Sequence, residues 1–331
     1  MSSKRKGQLM LLTTITLTIV AVLLGICLGS TRVSPVSFVQ AALSGNTADS
    51  AYRIVMYSRL PGVLGALLAG SALAVSGAIL QAVLQNPLAS PNIIGVNSGA
   101  GLMVLLCSAF FPSQDFLLPF AAFIGALATA MLIFALAMGP GMSRMTLVLT
   151  GIAMSSILGA GMNCIMILYP DAYIGASTFL VGGLSGITLR SLNFPIIYIA
   201  IGLILAMLLR RDMNIISLGS ETAQSLGMSI TTIRFLLIFT AAILAGAAVS
   251  FAGLLGFVGL IVPHAIRFII GNDNRYLVPA SAFGGAAFVT ICDVISRVAF
   301  APYVIPVGIL LSFIGGPFFI YLIMRNRRTN Q

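Results

Sequence analysis

Charge is what this chain has least of. Only 7% of its 331 residues are charged, against about 25% in soluble domains. A water-exposed surface cannot be covered by that composition. Lysine occurs twice, as Lys4 and Lys6. A Walker A loop needs a lysine after its glycine-rich turn to reach the phosphates, and neither position qualifies, so the chain carries no such ATPase site. Histidine occurs once, as His264. That excludes a metal or haem site built on several histidines, and a His-based triad made with any spare. In GLIVPHAIRF it reads as a structural histidine, not as a ligand. Of the seven acids, only Asp293 falls inside an apolar run, with Arg297 four residues on and placed to pair with it. A proton- or sodium-coupled carrier normally places a carboxylate near mid-membrane. The scarcity weakens that class, although sodium can also be held by backbone carbonyls. The four cysteines form no CxxC pair and all lie in apolar runs, as packed thiols do.

What the chain has is apolar length. Hydrophobic residues make up 59% of it, and the mean hydropathy is +1.10, so its solvent is lipid. Ten apolar runs are read at about 9–29, 60–84, 93–111, 116–138, 145–168, 194–209, 233–252, 254–270, 278–300 and 303–324. The sixth and eighth are short. The eighth follows the seventh with almost no loop, which predicts a tight turn and a tilted or partly re-entrant segment. The first run has no small-x-small cleavage pattern after it and reads as a retained span. With the amino terminus inside, Lys4, Arg5, Lys6, Arg144, Arg210, Arg211, Arg234, Arg267, Arg275, Arg325, Arg327 and Arg328 face the cytoplasm. Arg32, Arg53, Arg59, Arg190 and Arg297 face out. This positive-inside bias accounts for the net charge of +10 without nucleic acid as a partner. The expectation is a multi-pass cell-membrane protein with both termini cytoplasmic.

Residues 68–77 (LAGSALAVSG) align with 244–253 (LAGAAVSFAG) without gaps, and the same offset pairs Pro87 with Pro263 and Gly95 with Gly271. The copies begin five spans apart, so the repeat is inverted, with halves at roughly 59–168 and 234–324. Chance matching of Gly/Ala-rich helices is the alternative. The whole of 1–331 reads as one transmembrane domain. Segments 30–57, 169–192 and 210–232 are too short to bury a core, so any soluble machinery is a separate chain.

Three stretches stand out. The first, 59–101, is RLPGVLGALLAGSALAVSGAILQAVLQNPLASPNIIGVNSGAG. Small residues four apart, at Ala66, Gly70 and Ala74, make a smooth helix face, and Pro87 and Pro91 break the helix. By spacing alone this fits an ordinary helical hairpin equally well. The second is a small-polar stripe in the fifth run: Gly151, Ser155, Gly159 and Asn163. Asn163 is costly in lipid, so the stripe faces protein or water, as a packing seam or as a pathway lining. The third, 215–234, is IISLGSETAQSLGMSITTIR. Ser220 suits an N-cap, Glu221 a first turn, Gly227 a left-handed C-cap, and Ser229 the start of a second short helix. It reads as a well-capped loop or a rigid docking surface.

The first stretch, with LGSETAQSLGM (218–228) from the third, GFVGLIVPHAIRFIIGNDNRYLVPASAFGG (256–285) and PVGILLSFIGGPFFIYL (306–322), resembles the FecCD-type permease subunits of ABC importers for iron–siderophore complexes, vitamin B12 and haem. The resemblance implies an all-α membrane protein of about ten transmembrane helices in the type II importer permease fold. It implies two ATPase subunits, an external binding protein, and a second copy or paralogue as partners. It implies no cofactor, no bound metal and no catalytic residue of the chain's own. The carried substance would be a metal chelate, with a ferric siderophore expected and cobalamin or haem as alternatives; an ion-coupled secondary carrier is the rival class. By this resemblance Leu218, Gly219, Ser220, Glu221, Ala223, Leu226 and Gly227 couple to the ATPase. Arg59 and Arg297 dock the binding protein, and Ser155, Gly159 and Asn163 line the pathway. The sequence departs from the family at Gly62, at Val304–Ile305 and at Gly253–Leu254, where a second arginine, Glu-Leu and Gly-Pro are common. The first two departures bear on outer docking and gating.

Overall fold

A computed structural model describes residues 3–31, 33–137 and 144–329. Arg32 lies outside the described residues, as do the side chains of Arg144, Arg325, Arg327 and Arg328. Among the described residues there are fifteen α-helices. They are α1 (Ser3–Cys27), α2 (Pro35–Leu43), α3 (Ser50–Ile54), α4 (Leu60–Leu84) and α5 (Val96–Phe110). Then come α6 (Leu118–Ala137), α7 (Arg144–Leu168), α8 (Pro170–Val181), α9 (Leu189–Leu208) and α10 (Arg210–Ile216). The last are α11 (Ser220–Ser225), α12 (Ile230–Ala252), α13 (Val258–Ile270), α14 (Asn274–Val298) and α15 (Val307–Thr329). Seven helices are long and apolar enough to cross a membrane, and the apolar stretches Val96–Phe110, Val258–Ile270 and Val307–Leu322 are shorter. Together they match the ten apolar runs.

The sixth run, read as short, is a full helix of 20 residues. Its first five residues include Arg190, Ser191 and Asn193, which hid it from an apolar count. Thr188 and Ser191 close a capping box around its first turn. The third run, not read as short, shortens. Its helix α5 has 15 residues, about 22 Å at 1.5 Å each, less than the ~30 Å core.

The interior is α4 and α12, the two most deeply buried spans. Side chains there are small because backbones touch. A Cβ on Gly77 would collide with the Gly259 carbonyl, and one on Gly70 with the Gly285 carbonyl. Ser76 Oγ donates to the Ala241 carbonyl across the α4–α12 contact at 2.7 Å. In lipid, close packing and such bonds do what apolar burial does in water.

The inverted repeat shows in this packing. Helix α4 packs on α14, and α12 packs on α6. Gly70 lies against Gly285 in the first contact, and Gly246, its partner at offset 176, lies against Ala126 in the second. In both halves the long helix is followed by an unwound stretch and a short helix. Helix α5 starts from Gly95 at φ +68°, and α13 from Phe257 at φ +64°. So Gly95 corresponds in position to Phe257, not to Gly271 as the gapless alignment had it. The second unwound stretch is shorter, and the offset changes there. The tight turn expected before the eighth run is Gly253–Phe257, which leads into a helix of 13 residues. The second unwound stretch meets the first turn of α5, with Asn97 Nδ2 donating to the Leu255 carbonyl at 3.5 Å.

Candidate coupling site and pathway face

Helices α10 and α11 form two short arms around Gly219, at φ +112°. Ser220 is not the cap. Gly219 takes the N-cap position, and Ser220 is the first helical residue. Its hydroxyl instead accepts a hydrogen bond from Arg234 Nη2 at 2.8 Å. Glu221 stands in the first turn, where the partial positive charge of the helix end favours it. Gly227 ends α11 at φ +81°. Its N–H bonds the Gln224 carbonyl and the Met228 N–H bonds the Ala223 carbonyl, at 2.9 and 3.0 Å. That is a Schellman cap, and it needs the left-handed residue. Ser229 does not start another short helix; it is the N-cap of the long α12. Ala223 is buried, while Leu218 and Leu226 are 64% and 63% exposed. One apolar side chain thus anchors the segment, and two stand free of it.

Three side-chain links hold this segment to membrane helices. Gln85 Nε2 donates to the Ile216 carbonyl at 2.6 Å, tying α10 to the end of α4. Asn214 Nδ2 donates to Asp273 Oδ1 at 3.0 Å, and the Asn274 N–H donates to Asn214 Oδ1 at 2.8 Å, tying α10 to the start of α14. The Arg234–Ser220 bond ties α11 to α12. Gln85 makes its link from φ +48°. It occupies a Schellman position where glycine is usual, with its N–H to Ala82 and the Asn86 N–H to Gln81. The first turns of α1 lie at the same end of the molecule, because Gly7 sits against the Tyr276 ring of α14.

The opposite end holds the two arginines assigned to docking. Arg59 is 3% exposed. Its guanidinium donates to the carbonyls of Ile26 and Cys27 at 2.7 Å each and of Thr31 at 2.5 Å. It closes the C-terminal end of α1, where a cation is favoured. In this arrangement it is not presented to an outside carboxylate, because the polar carbonyls of a helix end were the nearer partner. Arg297 pairs with Asp293 at 2.7 Å, with most of both side chains covered.

The stripe on α7 divides. Gly151 is buried against the Ile93 carbonyl, and Ser155 Oγ lies near Gly95. Gly159 has nothing within 4 Å of a Cβ position, and Asn163 is exposed. The half near Arg144 is therefore a packing seam, and the other half is open. Helix α7 is the least buried long apolar helix among the described residues.

A family model described as the FecCD transport family matches residues 17–325. The chain belongs to that family. It is 37% identical over 324 residues to the Fe(3+)-citrate import system permease protein YfmE of Bacillus subtilis (strain 168), covering 96% of each chain. It is 37% identical over 313 residues to the hemin transport system permease protein HmuU of Yersinia pestis, covering 92% of this chain and 94% of the relative. A solved structure described as an inward-facing conformation of a metal-chelate type ABC transporter superposes with a TM-score of 0.83 at 26% identity. That match covers 95% of this chain and 98% of the other. The FecCD chain is thus a multi-pass helical membrane protein with the type II permease fold. Sequence reasoning did not find Gln85, Asn214 or Arg234, which bind α10 and α11 to the bundle. Gln85 precedes NPLASP with no glycine where the chain must turn, and that was the available signal.

Proposed function

We propose that this chain is the permease subunit of an ATP-driven importer for a ferric chelate. A siderophore or citrate complex is the expected cargo, and haem or cobalamin the alternative. The carrying observation is the 218–228 segment. It is capped at Gly227, exposed through Leu218 and Leu226, and bonded to α12 through Ser220, while α10 just before it is bonded to α4 and α14 through Ile216 and Asn214. The names of relatives, among them iron(III)-citrate and hemin permeases, support the chelate class.

In this reading two ATPase subunits dock on Leu218, Gly219, Ser220, Glu221, Ala223, Leu226 and Gly227 of two permease copies, or of one copy and a paralogue. ATP binding draws the two segments together. The displacement passes through Gln85, Asn214 and Arg234 to the helices they hold. Those helices meet through glycine backbones, so they shift as rigid bodies, and the pathway between copies alternates its access. The open half of α7, with Gly159 and Asn163, faces that pathway, and Ser155 lies at its edge. Asn163 disfavours a lipid-facing position, which supports this assignment. An extracytoplasmic binding protein delivers the chelate. Both termini lie in the cytoplasm with the coupling segment. Arg297 remains a docking candidate if a partner carboxylate replaces Asp293. Arg59 serves docking only after leaving the three carbonyls it now holds.

The test is a cysteine at Leu226 in a variant freed of Cys27, Cys107, Cys164 and Cys292. It should cross-link to a purified partner ATPase in a nucleotide-dependent way, and a cysteine at Tyr57, at the other end, should not. Equal cross-linking from both positions would refute the docking face. Competition among ferric siderophore, ferric citrate, haem and cobalamin for uptake then selects the cargo.

A further inference from the structure

A cavity of about 660 Å³ lies between α6, α9 and α12. Helix α9 runs into α10, beside the coupling segment, so its first turn is at the opposite end of the molecule. Ser250, near the far end of α12, also lines the cavity and places it at that end. Two ring pairs from α6 and α9 wall it. Phe120 meets Phe194 edge-on with centroids 5.4 Å apart, and Phe123 stacks on Tyr198 at 4.7 Å. Small-molecule sites of about 300–1,000 Å³ are lined in this way, by rings with a few polar groups.

Two charges of opposite sign stand on the same cavity. Asp115, three residues before α6, and Arg190, in the first turn of α9, both line it, and both are exposed. Among the described residues neither makes an ion pair or a side-chain hydrogen bond, with the other or with any third group. Beyond the rings the surface turns apolar. Ile124, Leu132 and Leu136 continue the Phe120 face of α6 at multiples of four residues. Ile197, Ile201 and Ile204 continue the Phe194 face of α9 at steps of three and four. All six are exposed. Such spacings keep to one side of a helix. Both helices are long and apolar enough to span the membrane, so these stripes suit lipid chains, and the rings above them suit the membrane interface.

An occupant matched to the whole site has an anion for Arg190, a cation for Asp115 and apolar chains for the two stripes. A soluble zwitterion leaves the stripes uncovered. An anionic lipid leaves Asp115 without a counter-charge. A choline lipid has the charge but no N–H for the carboxylate. A primary ammonium donates to a carboxylate, and a guanidinium holds a phosphate through two hydrogen bonds. We infer that the cavity is a headgroup site for phosphatidylethanolamine, with its phosphate on Arg190, its ammonium on Asp115 and its chains along the stripes of α6 and α9. Bound there, the lipid joins the ends of these two helices. The site rests on the membrane fold, not on the cargo or the energy source.

The chain has no tryptophan, so an introduced indole reports alone. Phe194→Trp keeps a ring in the cavity wall, and Ile204→Trp puts one on the same stripe nearer the coupling end. Each full-length variant is placed in phosphatidylcholine bilayers holding brominated phosphatidylethanolamine, phosphatidylglycerol or phosphatidylcholine, and quenching gives the relative affinity of each lipid for that position. In Phe194→Trp, phosphatidylethanolamine should be preferred over the other two about two- to fivefold, the worth of one exposed ion pair. In Ile204→Trp the three should quench alike. Adding Asp115→Asn to Phe194→Trp should remove the preference over phosphatidylglycerol. Adding Arg190→Gln should weaken both phospholipids against brominated diacylglycerol, which has no phosphate. Equal quenching by the three lipids in Phe194→Trp would overturn the site, as would the same preference at Ile204→Trp. A preference for phosphatidylglycerol would make it an anionic-lipid site and overturn the role of Asp115. Should Phe194→Trp fail to fold, competition between the two lipids for the unmodified chain, read by native mass spectrometry, gives the same ratio.

Discussion

Gln85 Nε2 and the Ile216 carbonyl lie 2.6 Å apart, and this bond joins the buried helix α4 to α10. The backbone of Gln85 is left-handed, which costs a non-glycine residue about 1–2 kcal/mol. A buried-end carbonyl and a strained turn are thus matched to each other. Replacing Gln85 with glycine relaxes the turn and removes the bond. The chain should stay folded while uptake per ATP hydrolysed falls severalfold, read as the ratio of the two rates in reconstituted vesicles. An unchanged ratio would remove Gln85 from the transmission path.

Gly227→Val tests the cap. A Cβ there meets nothing within 4 Å, so any effect is conformational, not steric. At φ +81° a β-branched residue is strained. Local destabilisation of about 1–2 kcal/mol should displace the elbow. The complex should assemble, with binding-protein stimulation of ATP hydrolysis lost; normal stimulation would contradict the coupling assignment.

Gly77→Ala and Gly159→Ala separate packing from pathway. The first drives a methyl into the Gly259 carbonyl, and the second meets open space. Overpacking should cost about 1–3 kcal/mol or more at Gly77 and close to nothing at Gly159. Thermal unfolding followed by a thiol-reactive dye at the buried Cys107 and Cys292 reports both. Equal midpoints would refute the close α4–α13 contact.

Phe257→Gly places opposite effects in one residue. It relieves a left-handed phenylalanine, about 1 kcal/mol, and removes a ring packed directly on Gly315. Loss of an aromatic ring from a core costs about 3–5 kcal/mol, less here because Phe257 is half-buried. A net loss of about 2 kcal/mol is expected in the same unfolding assay, and a more stable variant would contradict it.

Arg59→Gln should lower stability more than it weakens capture of the binding protein. Three carbonyls lose a charged donor, at about 1–3 kcal/mol in total. Binding-protein affinity measured at two salt concentrations checks this; a strong, salt-dependent loss with unchanged stability would return Arg59 to the outer dock.

The spans were legible because lipid demands long apolar stretches, and the repeat because small residues must recur where backbones touch. Gly227 was legible because a left-handed cap selects glycine. Gln85 and Phe257 were not, because each holds the same backbone geometry without the residue that announces it. Ser220 was misread because a serine before a glutamate looks like a cap, whereas Gly219 begins α11 and frees the hydroxyl for Arg234. The carbonyl partners of Arg59 were not legible because they are backbone groups 28 to 33 residues away, which no side-chain pattern records. The short α5 escaped a length count because its apolar run includes residues 93–95, which precede the helix.

The energy source for uptake tests the central claim most directly. Vesicles holding this chain with its ATPase partner, and supplied with binding protein and a ferric chelate, should accumulate iron only with ATP inside the coupled compartment. Gly227→Val should abolish that accumulation. Accumulation driven by a proton or sodium gradient, with no ATPase present, would contradict the account.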